Sequence, residues 1–173
     1  GELYVALAGE RFDGHRFVAQ AFEKGAGAAL INRDNPVCDK DYPMLVVDDT
    51  RAALLSLGTG YRRRVAPRIV GVTGSVGKTT VKEMTAAVLG VSWRTARTRG
   101  NWNNDVGLPL SLLRMESYTE MGVFEVGMNH PGEIAELGRV LSPDWGIVTA
   151  IGSAHIGFFS SVDDIAVEKA ALL

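Results

Sequence analysis

Short apolar runs alternate with amphipathic stretches from one end of the chain to the other. The first part predicts strands at residues 3–7, 28–31 and 44–47 and helices at about 16–24 and 50–63. Strands that alternate with helices are typical of an α/β unit. Pro67 breaks the last of these helices, and the Arg62-Arg63-Arg64 run before it indicates a solvated helix end. We therefore predict a first, small α/β domain over residues 1–66.

The remainder of the chain, residues 67–173, repeats this alternation. Strands are expected at 68–72, 123–126 and 146–150, and helices at about 78–89, 108–114, 132–141 and 162–173. Ser161 and Asp164 have the spacing of a capping box, which predicts where the last helix begins. The pattern predicts a second α/β domain whose mainly parallel sheet is covered by helices.

A glycine-containing turn joins the strand at 68–72 to the helix that begins at Lys78. Gly74 and Gly77 allow the backbone to direct several N–H groups toward one point at the positive end of that helix. Such a nest binds polyphosphate, with the lysine facing the β- and γ-phosphates and the Thr79 hydroxyl joining the Mg²⁺ shell. The residues predicted to bind nucleotide are Gly74, Ser75, Val76, Gly77, Lys78, Thr79 and Thr80.

This turn departs from the general phosphate-loop pattern G-x-x-x-x-G-K-[ST]. Val72 occupies the position of the first glycine, and Gly71 comes one residue too early. The alternative is a purely structural glycine-rich turn whose lysine has no role in binding, which the strand-turn-helix context disfavours. We predict ATP as the ligand, although the loop itself does not distinguish ATP from GTP.

The composition narrows the class of protein. Hydrophobic residues make up 46% of the 173 and charged residues 22%, which is the balance of a folded chain. A formal charge of -2 gives no basic field for a polyanion, so we expect no nucleic-acid partner. The single cysteine, Cys38, can form neither an internal disulfide nor a metal knuckle, which fits a cytoplasmic location. No apolar run approaches the roughly 20 residues of a membrane helix, so we expect no membrane insertion.

Four motifs, in order along the chain, resemble those of the Mur ligase family. They are Gly1-Glu2-Leu3-Tyr4-Val5-Ala6-Leu7 with Phe12-Asp13-Gly14-His15, the loop Thr73-Gly74-Ser75-Val76-Gly77-Lys78-Thr79, the segment Gly100-Asn101-Trp102-Asn103-Asn104-Asp105-Val106-Gly107-Leu108-Pro109, and the segment Glu125-Val126-Gly127-Met128-Asn129-His130-Pro131-Gly132-Glu133-Ile134. The resemblance is greatest to members that add D-alanyl-D-alanine to UDP-N-acetylmuramoyl-tripeptide. It implies an ATP- and Mg²⁺-dependent carboxylate-amine ligase of peptidoglycan precursor synthesis, which works through an acyl phosphate.

The resemblance also implies an organisation. Residues 1–66 correspond to most of a uridine-nucleotide domain, and residues 67–173 to the front of the central ATPase. The chain starts in a strand-like run and stops in a helical pattern, so we expect both ends to be cut. A third domain and the adenine-binding segment then lie outside it, and we expect a monomeric fragment that is inactive alone.

Catalytic roles follow from the same resemblance, for Lys78, Glu125, His155 and Lys169. Glu125 and His155 match the family's metal ligands and would join Thr79 of the phosphate loop, and Lys169 matches a lysine that is often carbamylated. Gly157 and Ser160 depart from the glutamate and glycine usual after that histidine. From the residues alone, Glu125 ends an apolar strand, where a parallel sheet places ligand-binding groups. A capping or surface acid, an ordinary loop histidine and a solvated lysine are the alternatives.

Substrate contacts are implied at two places. Asn103, Asn104, Asn129 and His130 match motifs that face the muramoyl-peptide, although such residues also serve as turn formers. The loop residues Glu10, Arg11 and Phe12 match contacts to uridine diphosphate, and a polar surface loop is the alternative there.

Other functions remain open. The chain could come from the ligase that adds the third amino acid or from folylpolyglutamate synthetase, but the two asparagine motifs disfavour both. A non-catalytic nucleotide-binding module is the alternative from another class. Retention of Glu125 together with His155 disfavours it, because a simple binder does not need both metal ligands.

Overall fold

The computed structural model describes residues 1–9, 12–35 and 42–173, which form two compact units, Gly1–Leu54 and Leu55–Leu173. Glu10, Arg11 and Cys38 lie outside the described residues. Across the described ranges, no helix is both long and apolar enough to cross a membrane.

The first unit is a small parallel sheet with a hairpin and one short helix. Its elements are β1 (Leu3–Val5), β2 (Ala8–Gly9), β3 (Phe12–Asp13), α1 (Val18–Glu23), β4 (Ala28–Asn32) and β5 (Met44–Val47). The sheet order is β1-β4-β5, and β2 pairs with β3 antiparallel. Ala6, Val18, Ala29 and Ile31 form its core. The strand expected over residues 3–7 is shorter because the chain turns into this hairpin.

A buried histidine closes the hairpin. The His15 side chain is 1% exposed, its Nδ1 lies 2.6 Å from the Asp13 carboxylate, and its Nε2 accepts the Asn32 N–H at 2.9 Å. Gly14 permits the close approach, since a Cβ there would lie 2.8 Å from the Leu7 carbonyl oxygen. Asp13, Gly14 and His15, which belong to the first of the four motifs, therefore have a structural role in this unit.

The two units divide within helix α2 (Thr50–Val65), whereas the sequence predicts a domain boundary after residue 66. The reason is packing: Leu55, Tyr61 and Val65 lie against the core of the second unit. The assignment of substrate-binding and ATP-binding roles to the two parts of the chain stays a prediction.

The second unit is a four-stranded parallel sheet in the order β7-β8-β6-β9. Its elements are β6 (Arg68–Thr73), α3 (Lys78–Leu89), β7 (Thr95–Arg97), α4 (Gly107–Leu113), β8 (Met121–Glu125), α5 (Glu133–Leu141), β9 (Trp145–Val148) and α6 (Val162–Ala170). The predicted α/β class with a mainly parallel sheet is confirmed. The sequence missed β7, which has no apolar run.

Helices cover both faces of this sheet because successive strand residues point to opposite sides. Ile69 and Phe124 pack with α4, α5 and α6, whereas Val70, Val72 and Val123 pack with α3. The Ser161 side chain accepts the Asp164 N–H at 3.1 Å, which confirms the predicted start of α6.

Strand register brings the functional segments to one edge. Val72 pairs with Glu125 and Thr73 pairs with Val148, so β6, β8 and β9 end at the same level. The loop after β6, the carboxylate that ends β8 and the segment after β9 therefore meet at the carboxyl edge of the sheet.

Candidate active site

The loop between β6 and α3 is held in one conformation by its two glycines. Gly74 has φ 146° and Gly77 has φ 84°, both in the region that side chains rarely adopt. A Cβ at Gly74 would also collide with the Thr149 hydroxyl. That hydroxyl donates to the Val76 carbonyl at 2.6 Å, and the Ser75 N–H donates to the Ala150 carbonyl at 2.8 Å. The segment after β9 therefore braces the loop.

Helix α3 begins with uncapped backbone donors. Its N-cap residue is Gly77, which has no side chain to accept the first N–H groups. Lys78 is the first helical residue, and its Nζ donates to the Gly74 carbonyl at 2.8 Å, across the loop. Donors and a cation are thus directed to one place, which is the arrangement that binds phosphate.

Glu125 places a buried carboxylate beside this helix start. Its side chain is 2% exposed, yet among the described residues no basic group pairs with it. Thr79 Oγ1 donates to Oε2 at 2.9 Å, and the Asn103 amide donates to Oε1 at 2.8 Å. The Glu125 N–H donates to Thr98 Oγ1 at 2.9 Å. A buried carboxylate with only neutral partners has capacity for a cation.

A cavity of about 120 Å³ collects most of the other predicted residues. It is lined by Lys78, Asn103, Asn104, Gly127, Met128, Asn129, Glu133, His155 and Lys169. Gly127 keeps it open, because a Cβ there would lie 2.8 Å from the Asn103 side chain. His155 reaches the cavity from a backbone with φ 66°.

Lys169 is the most perturbed titratable group of this cavity. It is 1% exposed, and burial together with the nearby Lys78 charge lowers its pKa to about 8, while Glu168 opposes the shift. The sequence alternative of a solvated lysine is therefore wrong.

Glu168, which the sequence did not single out, holds α6 against α5. Its two carboxylate oxygens accept the Gly132 and Ile134 N–H groups at 2.9 Å each. An acid at a helix start is favourable because it meets uncapped donors and the positive end of the helix dipole. This contact positions the helix that carries Lys169.

Two predicted substrate residues are not among those that line the cavity. The His130 ring does not line it; its Nδ1 lies 3.1 Å from Glu133 and its ring meets Phe158 edge-on at 4.7 Å. Phe12 is in the first unit, 58% exposed and stacked on Phe17 at 5.2 Å. Within the described ranges, no group of three or more His, Cys, Asp or Glu side chains is close enough to hold a metal ion alone.

Three features together define a nucleotide-binding domain of the phosphate-loop type. They are a parallel sheet between two helical layers, a glycine loop that leads into an uncapped helix, and a buried carboxylate beside the start of that helix. The family model for the Mur ligase middle domain matches residues 72–173. The chain belongs to the Mur ligase family.

The proteins similar to this chain include a curated relative and solved structures of MurF. The UDP-N-acetylmuramoyl-tripeptide–D-alanyl-D-alanine ligase of Bacillus subtilis (strain 168) is 45% identical, over 99% of this chain and 38% of that protein. A MurF crystal structure from Acinetobacter baumannii has 40% identity and a TM-score of 0.92, over 99% of this chain and 38% of that one. MurF from Thermotoga maritima in complex with ADP has 35% identity and a TM-score of 0.89, over 99% and 40%. The chain thus spans 38–40% of the length of these relatives.

Proposed function

We propose that the full-length protein is an ATP-dependent ligase that joins D-alanyl-D-alanine to UDP-N-acetylmuramoyl-tripeptide in the cytoplasm. The names of relatives at 35–45% identity support the substrates. The observation that carries the chemistry is the hydrogen bond of Thr79, at the start of α3, to the buried Glu125 carboxylate. It joins a phosphate-binding element to a metal-binding group.

The proposed reaction joins a carboxylate to an amine, which is unfavourable in water. The γ-phosphoryl group of ATP is first transferred to the peptide carboxylate. The amine of D-alanyl-D-alanine then attacks the acyl phosphate, and inorganic phosphate leaves. Such a transfer depends on positioning and charge neutralisation more than on an acid or a base. In our proposal Lys78 and the N–H groups that begin α3 provide both.

The donors around Glu125 suit Mg²⁺, which prefers carboxylate and hydroxyl oxygens. Glu125 and Thr79 would hold the ion, with His155 as the third predicted ligand. When bound, Mg²⁺ would neutralise phosphate charge during transfer. Asn103, which donates to Glu125 and lines the cavity, fixes the direction of the carboxylate.

We further propose a carbamate on Lys169. Its neutral amine attacks CO₂, so that an N–C bond forms and one proton leaves to solvent. The pKa of about 8 supports this, because more of the amine is neutral near neutral pH than in an ordinary lysine. An anion at this position would also remove the repulsion from Lys78.

The remaining site residues are proposed as substrate contacts. Asn103, Asn104 and Asn129 line the cavity and would face the muramoyl-peptide. Glu10, Arg11 and Phe12, with His130, stay predictions from the family motifs.

The test is phosphate release by the full-length protein, measured with ATP and both substrates. Lys78→Ala should lower the rate by about 100-fold or more, as expected for loss of a charge that stabilises the transferred phosphate. Lys24→Ala, which changes an exposed lysine of the first unit, should stay near the wild-type rate.

Near-normal turnover by Lys78→Ala would contradict the assignment. Turnover with a different amine or acceptor would favour another ligase of the family. Nucleotide binding without any turnover would favour the non-catalytic module.

A further inference from the structure

A second lysine of α3 is buried completely. Lys82 lies one turn after Lys78, on the helix that leaves the phosphate loop, and its side chain is 0% exposed. A buried ammonium is costly unless each of its protons is paired. Its contacts therefore show what the residue holds in place.

Lys82 Nζ has three acceptors for its three protons. It donates to the Thr98 carbonyl at 2.9 Å and to the Gly100 carbonyl at 3.2 Å, and it pairs with Glu83 Oε1 at 2.9 Å. The other Glu83 oxygen pairs with Arg97 Nε at 2.7 Å. The hydrogen bond from Lys82 and its charge, with the charge of Arg97, keep the pKa of Glu83 low, so the carboxylate stays ionised.

The two carbonyls belong to the segment that orients Glu125. Thr98, itself buried, accepts the Glu125 N–H through its hydroxyl at 2.9 Å. Just beyond Gly100, Asn103 donates to Glu125 Oε1 at 2.8 Å. Lys82 thus ties α3 to the backbone at 98 and 100, between these two contacts. The same helix carries Thr79, the other partner of the carboxylate.

We infer that Lys82 is a positioning residue for the metal-binding carboxylate Glu125, acting through the backbone of residues 98–100. This inference rests on the proposed function, because it concerns the ion that Glu125 would bind. Lys82 touches neither metal nor substrate in this scheme. Its loss leaves Glu125 in place but removes the support that fixes the direction of its oxygens.

The test measures metal binding directly, with Mn²⁺ as a paramagnetic probe of the Mg²⁺ position in full-length protein saturated with ADP. Lys82→Met keeps the length of the side chain but removes its donors. Mn²⁺ affinity, followed by electron paramagnetic resonance, should fall by about 10-fold or more, the effect usual for lost outer partners of a metal ligand. Gly100→Ala should also lower the Mn²⁺ affinity. Alanine is strained at the φ of 53° that Gly100 adopts, which disturbs the carbonyl that Lys82 contacts, although no atom lies close to the new methyl group.

Ala86→Gly is the matched control, since it weakens the same helix by about 1 kcal/mol without changing the contacts of Lys82 to the Thr98 and Gly100 carbonyls. It should lower the melting temperature and leave Mn²⁺ affinity within about twofold. Folded Lys82→Met or Gly100→Ala protein with wild-type affinity overturns the inference, as does an equal loss in Ala86→Gly. A weakened metal site in a protein without ligase turnover supports the role of Lys82 and contradicts only the proposed reaction.

Discussion

At the scale of single residues, two buried lysines have opposite surroundings. Lys82 has an acceptor for every proton, so its charge is stabilised. Lys169 forms no hydrogen bond or ion pair through Nζ within the described part of the chain, and the positive charge of Lys78 repels its ammonium form. Lys82 therefore ties two segments together, whereas the pKa of Lys169 is lowered because burial and the Lys78 charge disfavour its ammonium form.

The pKa of Lys169 makes stability depend on pH. The pKa is about 8 in the folded protein and 10.5 in the unfolded chain, so the unfolded chain binds more protons between these values. This residue therefore destabilises the fold fully below about pH 8, and the penalty declines as the pH rises toward 10.5. In CO₂-free buffer, Lys169→Met should melt above wild type near neutral pH, and the difference should close as the medium becomes alkaline.

Thermal unfolding of full-length protein measures this difference. Added bicarbonate should stabilise wild type but not Lys169→Met, since only the lysine can form a carbamate. Lys24→Met, at an exposed position, serves as the control and should show no pH-dependent difference. A difference that is constant with pH, or bicarbonate effects in both proteins, would argue against a poised amine.

At the scale of elements, the parallel strands bring the site residues to one edge of the sheet, and contacts between helices position the side chains there. Glu168 joins α6 to α5 by accepting two backbone N–H groups at the start of α5, and the next residue of α6, Lys169, is buried. The Glu168 carboxylate thus lies at the start of α5, where the positive end of the helix dipole favours an anion.

Glu168→Gln should loosen this link. The amide retains one acceptor oxygen but presents an NH₂ group toward the other backbone donor, and the negative charge is lost. We expect a cost of about 1–2 kcal/mol, seen as a lower melting temperature of the full-length protein. Asp163→Asn, on an exposed residue of the same helix, should cost less than about 0.5 kcal/mol. Equal melting temperatures for both variants would show that the contact contributes little.

At the scale of the molecule, the chain carries only part of the proposed machinery. It spans 38% of the Bacillus subtilis relative, and the groups that would contact adenine and the incoming amine are expected beyond it. The two compact units each have a core of their own. We therefore expect the 173-residue chain to fold without the residues that complete the proposed active site.

The isolated 173-residue chain should release no phosphate with ATP and both substrates, whereas full-length protein should. Calorimetry should show weak nucleotide binding by the isolated chain, because the phosphate loop alone provides few contacts. Lys78→Ala in the isolated chain is the control for binding at the loop. Nanomolar ATP affinity, or substrate-dependent turnover, would refute the need for further residues.

Local features of the fold can be predicted from the amino-acid sequence alone. Strong apolar runs and a glycine turn before Lys78 fix the strand, loop and helix of the phosphate site, since these depend on neighbours in the chain. Glu125, at the end of β8, could be singled out for the same reason. β7 could not: Thr95-Ala96-Arg97 has no apolar pattern and is a strand because β8 offers it partners.

Contacts between groups that are distant in the chain depend on the tertiary structure. The register of β6, β8 and β9 brings Thr79 to Glu125, and the packing of α6 buries Lys169 in a cavity with Lys78. It also turned Lys82 and Glu168, ordinary charged helix residues by sequence, into ties between elements. Burial and hydrogen bonding between segments far apart in the chain are set by how the sheet and helices pack, which local pattern does not encode.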